Sequence, residues 1–220
     1  MTTVEYLLEA TKEIWEEYHR HPFVLGIQNG TLDEAKFRYY IIQDYLYLGD
    51  YAKTFAIGMA KSKSIETTRL FSGYINVLTG SEMDIHRGYI GRFAVTHEEI
   101  NSTPRALDNL SYTSYMLRVA YEEGEIEILT AILSCAYSYE VIAKNIVKNN
   151  PSSIDHPLYG NWIKGYASDE YAKENVLLLD TLNRLSSHYT EQQIKHLVDI
   201  FIACSRYELA FWEMSWHMNQ

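Results

Sequence analysis

Three helical segments carry polar side chains inside otherwise apolar stripes, and these side chains are the first candidates for chemistry. In the segment 39–51, the residues Tyr40, Asp44, Tyr47 and Tyr51 follow the i, i+4, i+7, i+11 spacing of one helix face. A carboxylate held between aromatic rings is costly unless it has a partner or a ligand. Asp44 is therefore a candidate binding residue, with a solvated surface charge as the alternative.

A cysteine and a glutamate occupy comparable positions on two later segments. Cys135 lies one turn before Tyr139, among small residues that leave space for another helix or for a ligand. Glu208 lies one turn after Cys204 and one turn before Trp212. The alternatives are that Cys135 is a buried small hydrophobe and that Glu208 forms an ion pair with Arg206 or a cation on another helix.

Metal and nucleotide motifs are nearly absent from the sequence. A di-iron bundle needs two Glu-x-x-His pairs, and we find one, Glu16-x-x-His19. Glu82 and His86, spaced i, i+4, fit a buried structural hydrogen-bonded pair better than a metal site. Zinc-type Cys/His spacings and glycine-rich phosphate loops are missing. A haem site stays open as an alternative, because any of the eight histidines could serve as an axial ligand.

Composition narrows the class of protein. The 220 residues carry 19 Lys+Arg against 29 Asp+Glu, a net charge of −10, which argues against nucleic acid or an anionic membrane as a partner. Two cysteines do not make a disulfide scaffold, and we expect both to be reduced thiols. No apolar run approaches the roughly 18 residues of a membrane span, and the N-terminus lacks the features of a signal peptide. We therefore expect a cytoplasmic protein.

The elements that must position the candidate residues are helices. Apolar residues recur at intervals of three and four residues, as on one face of a helix. Capping signals occur at Thr31-Leu-Asp-Glu34, Thr103-Pro104 and Thr190-Glu-Gln-Gln193. Gly30 and Gly124 are expected to end helices. The sequence predicts an all-α fold, a single-domain helical bundle over residues 1–220. The predicted helices span residues 3–20, 33–61, 65–98 with a break near Gly80, 104–122, 126–149, 156–166, 169–187 and 191–217.

Six short motifs in this order resemble those of the TenA / thiaminase II family, and together they cover most of the chain. The motifs are Gln43-Asp44-Tyr45-x-Tyr47-Leu48, Gly80-x-Glu82-Met83-x-x-His86, Tyr112-Thr-x-Tyr-x-Leu, Cys135-x-x-x-Tyr139-x-x-Ile-Ala, Tyr159-x-x-Trp162-Ile-x-x-Tyr166 and Cys204-x-x-x-Glu208-x-x-Phe-Trp212-x-Met.

The resemblance implies a haem-oxygenase-like fold, usually a homotetramer, and an enzyme of thiamin salvage. Members of the family hydrolyse 4-amino-5-aminomethyl-2-methylpyrimidine to the 5-hydroxymethyl compound and ammonia, and they cleave thiamin into hydroxymethylpyrimidine and the thiazole alcohol. A small-molecule aminopyrimidine or thiamin is thus the expected partner, and no metal or organic cofactor is implied.

The family's site residues fall on matching positions of this sequence. Its nucleophilic cysteine falls on Cys135, its catalytic glutamate on Glu208, and the carboxylate that hydrogen-bonds the pyrimidine on Asp44. Ser134 stands where many relatives have proline, and Cys204 is expected to be structural. The pocket tyrosines fall on Tyr47, Tyr112, Tyr139 and Tyr166, and the match at Tyr47 is the looser one.

Two other classes of function remain as alternatives. A non-catalytic pyrimidine-binding or regulatory protein would need only an aromatic pocket with one carboxylate. A haem- or quinone-handling relative would use one of the histidines.

Overall fold

The computed structural model describes residues 1–219, and the side chains of all of these except 81–84. Every regular element in the described chain is helical. A five-residue π-helical segment, Leu78–Glu82, joins α4 to α5, and a short 3₁₀ helix, Pro151–Asp155, follows α8. The α-helices are α1 Thr3–Arg20, α2 Pro22–Asn29, α3 Glu34–Lys61, α4 Ile65–Val77, α5 Met83–Arg92, α6 His97–Ser102, α7 Leu107–Glu122, α8 Glu125–Asn149, α9 Gly160–Tyr166, α10 Asp169–Leu185 and α11 Glu191–His217.

Several predicted helix ends are confirmed. Thr190 and Gln193 form the capping box of α11, and Gly30 ends α2 in the left-handed conformation with φ 68°. A side chain at Gly30 would be strained, because only glycine adopts this backbone conformation freely.

Three predicted ends are wrong, and tertiary contacts explain one of them. Asp33, not Thr31, caps α3 through its side chain. Gly124 precedes α8 instead of ending α7. Helix α7 begins three residues after Pro104, because the Gln43 side chain binds both the Pro104 carbonyl and the Ala106 N–H. This long-range partner replaces the local cap that Thr103 was predicted to supply.

The predicted helix 65–98 is interrupted near the expected place. The π-helical segment spans Gly80, and α5 then ends at Arg92, where Ala94 adopts φ 49° and the Val95 N–H bonds to the Ile90 carbonyl. The sequence analysis also missed α2, where Pro22 takes the first helical position behind the capping residue His21.

Helix α8 forms the centre of the bundle and packs against α1, α2, α3, α7, α9, α10 and α11. Among the described helices it is the one that is long and apolar enough to cross a membrane, yet 78% of its most apolar stretch is buried inside the protein. Ser134 on α8 lies 3.1 Å from Ser205 on α11, hydroxyl to hydroxyl. Part of the small-residue surface around Cys135 therefore serves helix packing.

The contact between α3 and α4 depends on the absence of a side chain at Gly58. A Cβ atom there would collide with the ring of Phe71, which is fully buried. Gly49 on the same helix has open space around its Cα and so provides a matched control.

We expect Gly58→Ala to destabilise the fold by about 1–3 kcal/mol, because the buried ring cannot move aside without strain. Gly49→Ala should be neutral or stabilising by up to about 1 kcal/mol, since alanine favours the helix. Urea unfolding followed by circular dichroism measures both. A Gly58→Ala midpoint equal to the wild-type midpoint would contradict the packing argument.

Candidate active site

Five of the seven predicted site residues line one narrow cavity at the centre of the bundle. Helix α3 contributes Asp44 and Tyr47, α8 contributes Cys135 and Tyr139, and α9 contributes Tyr166. The fold therefore brings together side chains that lie up to 122 positions apart in the sequence.

The other two predicted residues, Tyr112 and Glu208, lie behind this first layer. The Tyr112 ring packs against that of Tyr47, with centroids 5.3 Å apart. Glu208 is 2% exposed, and the charges of Asp44 and Glu208 act on each other. Both residues thus adjoin the cavity without forming part of its described wall.

Asp44 is held by a histidine on another helix. Its Oδ2 lies 2.7 Å from Nε2 of His86 on α5, and both side chains are almost fully buried. The predicted partner of His86 was Glu82, whose side chain lies outside the described residues. The sequence analysis assigned His86 a structural role; the observed bond makes it the residue that orients the cavity carboxylate. The sequence contained a signal for this role, because His86 is the last residue of one of the six motifs.

A chain of hydrogen bonds fixes the aromatic wall beside Asp44. The indole Nε1 of Trp162 donates to the Tyr40 hydroxyl at 3.1 Å, and that hydroxyl donates to Tyr139 at 3.3 Å. Burial raises the pKa of Tyr139 well above its ordinary value, and the charges of Asp44 and Glu208 add to the effect. The phenols therefore stay protonated and can donate hydrogen bonds to a ligand.

Glu208 is a carboxyl group in an apolar environment. Burial raises its pKa to about 8, the negative charge of Asp44 adds to the rise, and the hydroxyls of Tyr112 and Tyr139 partly oppose it. Within the described residues, neither Oε2 of Glu208 nor the Tyr112 hydroxyl has a partner at normal hydrogen-bond distance and angle. At neutral pH Glu208 is therefore mostly an acid with a proton to give.

The two cysteines differ in their surroundings. Cys135 lines the cavity and is 8% exposed, whereas Cys204 is fully buried and lies outside the cavity wall. Burial, with the Glu208 charge as a smaller cause, raises the pKa of Cys204 far above its ordinary value. Neither is part of a disulfide. Only a thiolate is a strong nucleophile, so Cys204 is unsuited to this role and Cys135 is the candidate.

The sequence analysis missed the wall that α4 and α10 supply. This wall consists of Tyr74, Val77, Tyr171, Glu174 and Asn175. The Asn175 amide donates to the Ala136 carbonyl at 3.2 Å and to Glu140 at 2.7 Å. The i, i+4 spacing of Tyr171 and Asn175 was the available signal, but nothing local shows that this face meets α8.

The described side chains around the cavity do not form a binding site for a metal ion or a haem. No group of three His, Cys, Asp or Glu close enough to bind a metal ion occurs among the described side chains. Glu16, from the one Glu-x-x-His pair, instead bonds to Arg20 on the surface. No histidine belongs to the described wall of the cavity, so the haem alternative has no axial ligand there.

The fold occurs in known proteins. A haem oxygenase-1 from the cyanobacterium Synechocystis aligns with TM-score 0.63 over 97% of this chain and 91% of its own, at 16% identity. At that identity the likeness concerns the fold alone, and it confirms the predicted haem-oxygenase-like architecture.

More similar proteins match over nearly the whole chain. A TenA homologue from P. horikoshii matches at TM-score 0.88 and 30% identity, covering 99% of both chains. An aminopyrimidine aminohydrolase of Helicobacter pylori is 43% identical over 98% of this chain and 99% of its own length. The model of the TENA/THI-4/PQQC family matches residues 8–218. The resemblance found in the six motifs is thereby confirmed, and the chain belongs to the TENA/THI-4/PQQC family.

Proposed function

We propose that this protein is an aminopyrimidine aminohydrolase that converts 4-amino-5-aminomethyl-2-methylpyrimidine to the 5-hydroxymethyl compound and ammonia, and that it also cleaves thiamin. The observation that carries the proposal is the shared cavity of the Cys135 thiol and the Asp44 carboxylate, with the protonated Glu208 beside it. The aminohydrolase relative at 43% identity supports the same reaction.

Asp44 would bind the pyrimidine by its exocyclic amine. A carboxylate accepts from an amino group, and the His86 bond fixes its orientation. Tyr47 would supply aromatic surface, and the Trp212 ring packs behind the wall against Tyr139, with centroids 5.4 Å apart. Aromatic side chains favour a flat heterocycle. Tyr112, Tyr139 and Tyr166 would donate hydroxyl hydrogen bonds to the ring, the leaving nitrogen or water.

The reaction divides into two easier steps when a covalent intermediate forms. The Cys135 thiolate adds to the electron-poor ring, forming a C–S bond while a ring nitrogen takes a proton. The electron-rich adduct then expels the amine, which breaks the exocyclic C–N bond. Water adds to the methylene carbon and gives its second proton to the departing amine or to solvent, the C–S bond breaks, and the thiolate and the ring proton return to the enzyme. The net change is water in and ammonia out, so this route needs no metal or organic cofactor.

Glu208 would supply the ring proton. A carboxyl with a pKa of about 8 is protonated before the addition and can take the proton back afterwards. General acid help of this kind is worth about 10²–10⁴-fold in rate. Thiamin fits the same route, because its thiazole nitrogen leaves in place of the amine.

Replacing the nucleophile tests the covalent route. We expect Cys135→Ser to fold normally but to lose ammonia release from the aminopyrimidine by at least about 10³-fold, since a hydroxyl is a far weaker nucleophile. The matched variant Cys204→Ser keeps activity within a few-fold. Turnover of Cys135→Ser near the wild-type rate would refute covalent catalysis. Thermal stabilisation by hydroxymethylpyrimidine without ammonia release from the wild type would indicate a binding protein instead.

The pH profile tests Glu208. Activity requires the acid form, and its raised pKa means that this form is lost as pH rises through about 8. We expect kcat/KM for thiamin to fall about tenfold per pH unit above 8. Thiamin is the better probe near pH 8, because its quaternary nitrogen carries no ionisable proton. A profile that stays flat to pH 9, below the range in which hydroxide opens the thiazolium ring, with circular dichroism unchanged, would exclude Glu208 as the acid.

The assembly expected from the family is also a proposal. Leu107, Leu110 and Tyr121 on α7 are 69%, 46% and 71% exposed, and burying such side chains favours association. Light scattering should give about 102 kDa, four times the 25.6-kDa chain. A mass of one chain at micromolar concentration would contradict the homotetramer. The cytoplasmic location stays a prediction.

A further inference from the structure

The cavity lined by Cys135 lies next to a groove on the protein surface. The groove lies between α4 and α10, has an empty volume of about 960 Å³, and opens to solvent. Tyr74, Val77 and Glu174 line both spaces. These three residues therefore mark the junction between the buried cavity and the exterior.

Glu174 is a half-buried carboxylate at this junction. Its side chain has no hydrogen bond or ion pair to the other described side chains, and burial raises its pKa. A cation placed beside it would reverse that rise and stabilise the ionised form. Glu174 is therefore available to bind a cation.

The backbone around Glu174 is held firmly. The Tyr74 hydroxyl on α4 donates to the Glu174 carbonyl, and the neighbouring Asn175 is fixed to α8 at Ala136 and Glu140. Glu174 therefore sits on an anchored stretch of helix, which a specificity residue requires.

The other charged groups lining the groove are Glu66, Arg69 and Arg184. Glu66 is exposed, and Arg184 and Arg69 both act to lower its pKa, after its own backbone and Ser64. Neither arginine forms an ion pair with Glu174 among the described side chains, and burial is the cause of the raised pKa of Glu174.

We propose that Glu174 is a specificity-determining residue that recognises the positive charge of the substrate's leaving group at the mouth of the cavity. This inference rests on the proposed function and deepens it. Both substrates can carry that charge: the aminomethyl group is a primary amine that takes up a proton, though less strongly than lysine because it adjoins an electron-poor ring, and the thiazolium of thiamin is cationic at neutral pH.

The layout of the cavity gives the direction of the leaving group. Asp44, which would hold the amino edge of the pyrimidine, is 4% exposed and bonded to the fully buried His86. Cys135, Tyr74 and Glu174 line the same cavity, and Tyr74 and Glu174 also line the surface groove. The exocyclic methylene group therefore points outward, and a large thiazole has the surface groove to occupy.

Loss of the Glu174 charge should change KM and kcat differently. Both leaving groups are cations in the bound substrate and depart as neutral molecules, ammonia or thiazole. A carboxylate therefore stabilises the ground state at least as much as the transition state. Removing its charge should raise KM without lowering kcat.

The test is Glu174→Gln, which preserves shape and removes charge, beside Asp180→Asn, an exposed acid on the same helix that lines neither space. We expect Glu174→Gln to raise KM for the aminopyrimidine and for thiamin about three- to thirtyfold, with kcat at or slightly above the wild-type value. The inhibition constant of the neutral product hydroxymethylpyrimidine should change less than twofold. Asp180→Asn should match the wild type.

Failure of the proposed function and failure of the Glu174 inference give different results. A wild type that releases neither ammonia nor thiazole refutes the proposed function itself. With an active wild type, the inference is overturned by an unchanged KM in Glu174→Gln. It is also overturned by KM and the product inhibition constant rising together, which would show general damage to the pocket, or by a fall in kcat alone.

Discussion

The whole site depends on two buried carboxyl groups, Asp44 and Glu208, whose charges act on each other. Like charges in a desolvated space oppose each other, so both cannot be ionised cheaply. The fold resolves this by giving Asp44 a histidine partner on α5 and leaving Glu208 among phenols and apolar side chains. One acid is oriented to accept hydrogen bonds, and the other keeps its proton. Under the proposed function, these different surroundings give two residues of the same chemical class opposite roles.

The bundle supports this division through α8. Its side chains are buried on nearly every face, so the helix cannot rotate or slide without breaking packing on several sides. The serine contact with α11 and the Tyr171 and Asn175 bonds to the Ala136 carbonyl fix the turn that carries Cys135. The Cys135 thiol thereby keeps its position relative to α3, as the proposed covalent route requires.

The sequence predicts some of these features and not others, for physical reasons. Helices with strong periodicity and local caps, such as α1 and α11, follow from neighbouring residues alone. The start of α7 does not, because its cap is Gln43, more than sixty positions earlier. Asp44 and Cys135 stand out as polar groups in apolar stripes. The His86 bond and the α10 wall depend on which helix faces pack together, and only the folded chain contains that information.

The indole rings packed behind the cavity wall have an optical consequence. Trp162 and Trp212 both pack against Tyr139, which lines the cavity, with centroids 5.9 and 5.4 Å away, and both are fully shielded from water. Two of the four tryptophans of the chain thus lie one side chain away from the space that a heterocycle would enter. Ultraviolet emission from the unlabelled protein would then report occupancy, since an electron-poor ring close to an excited indole quenches its fluorescence. Association and release could be followed in real time without a dye.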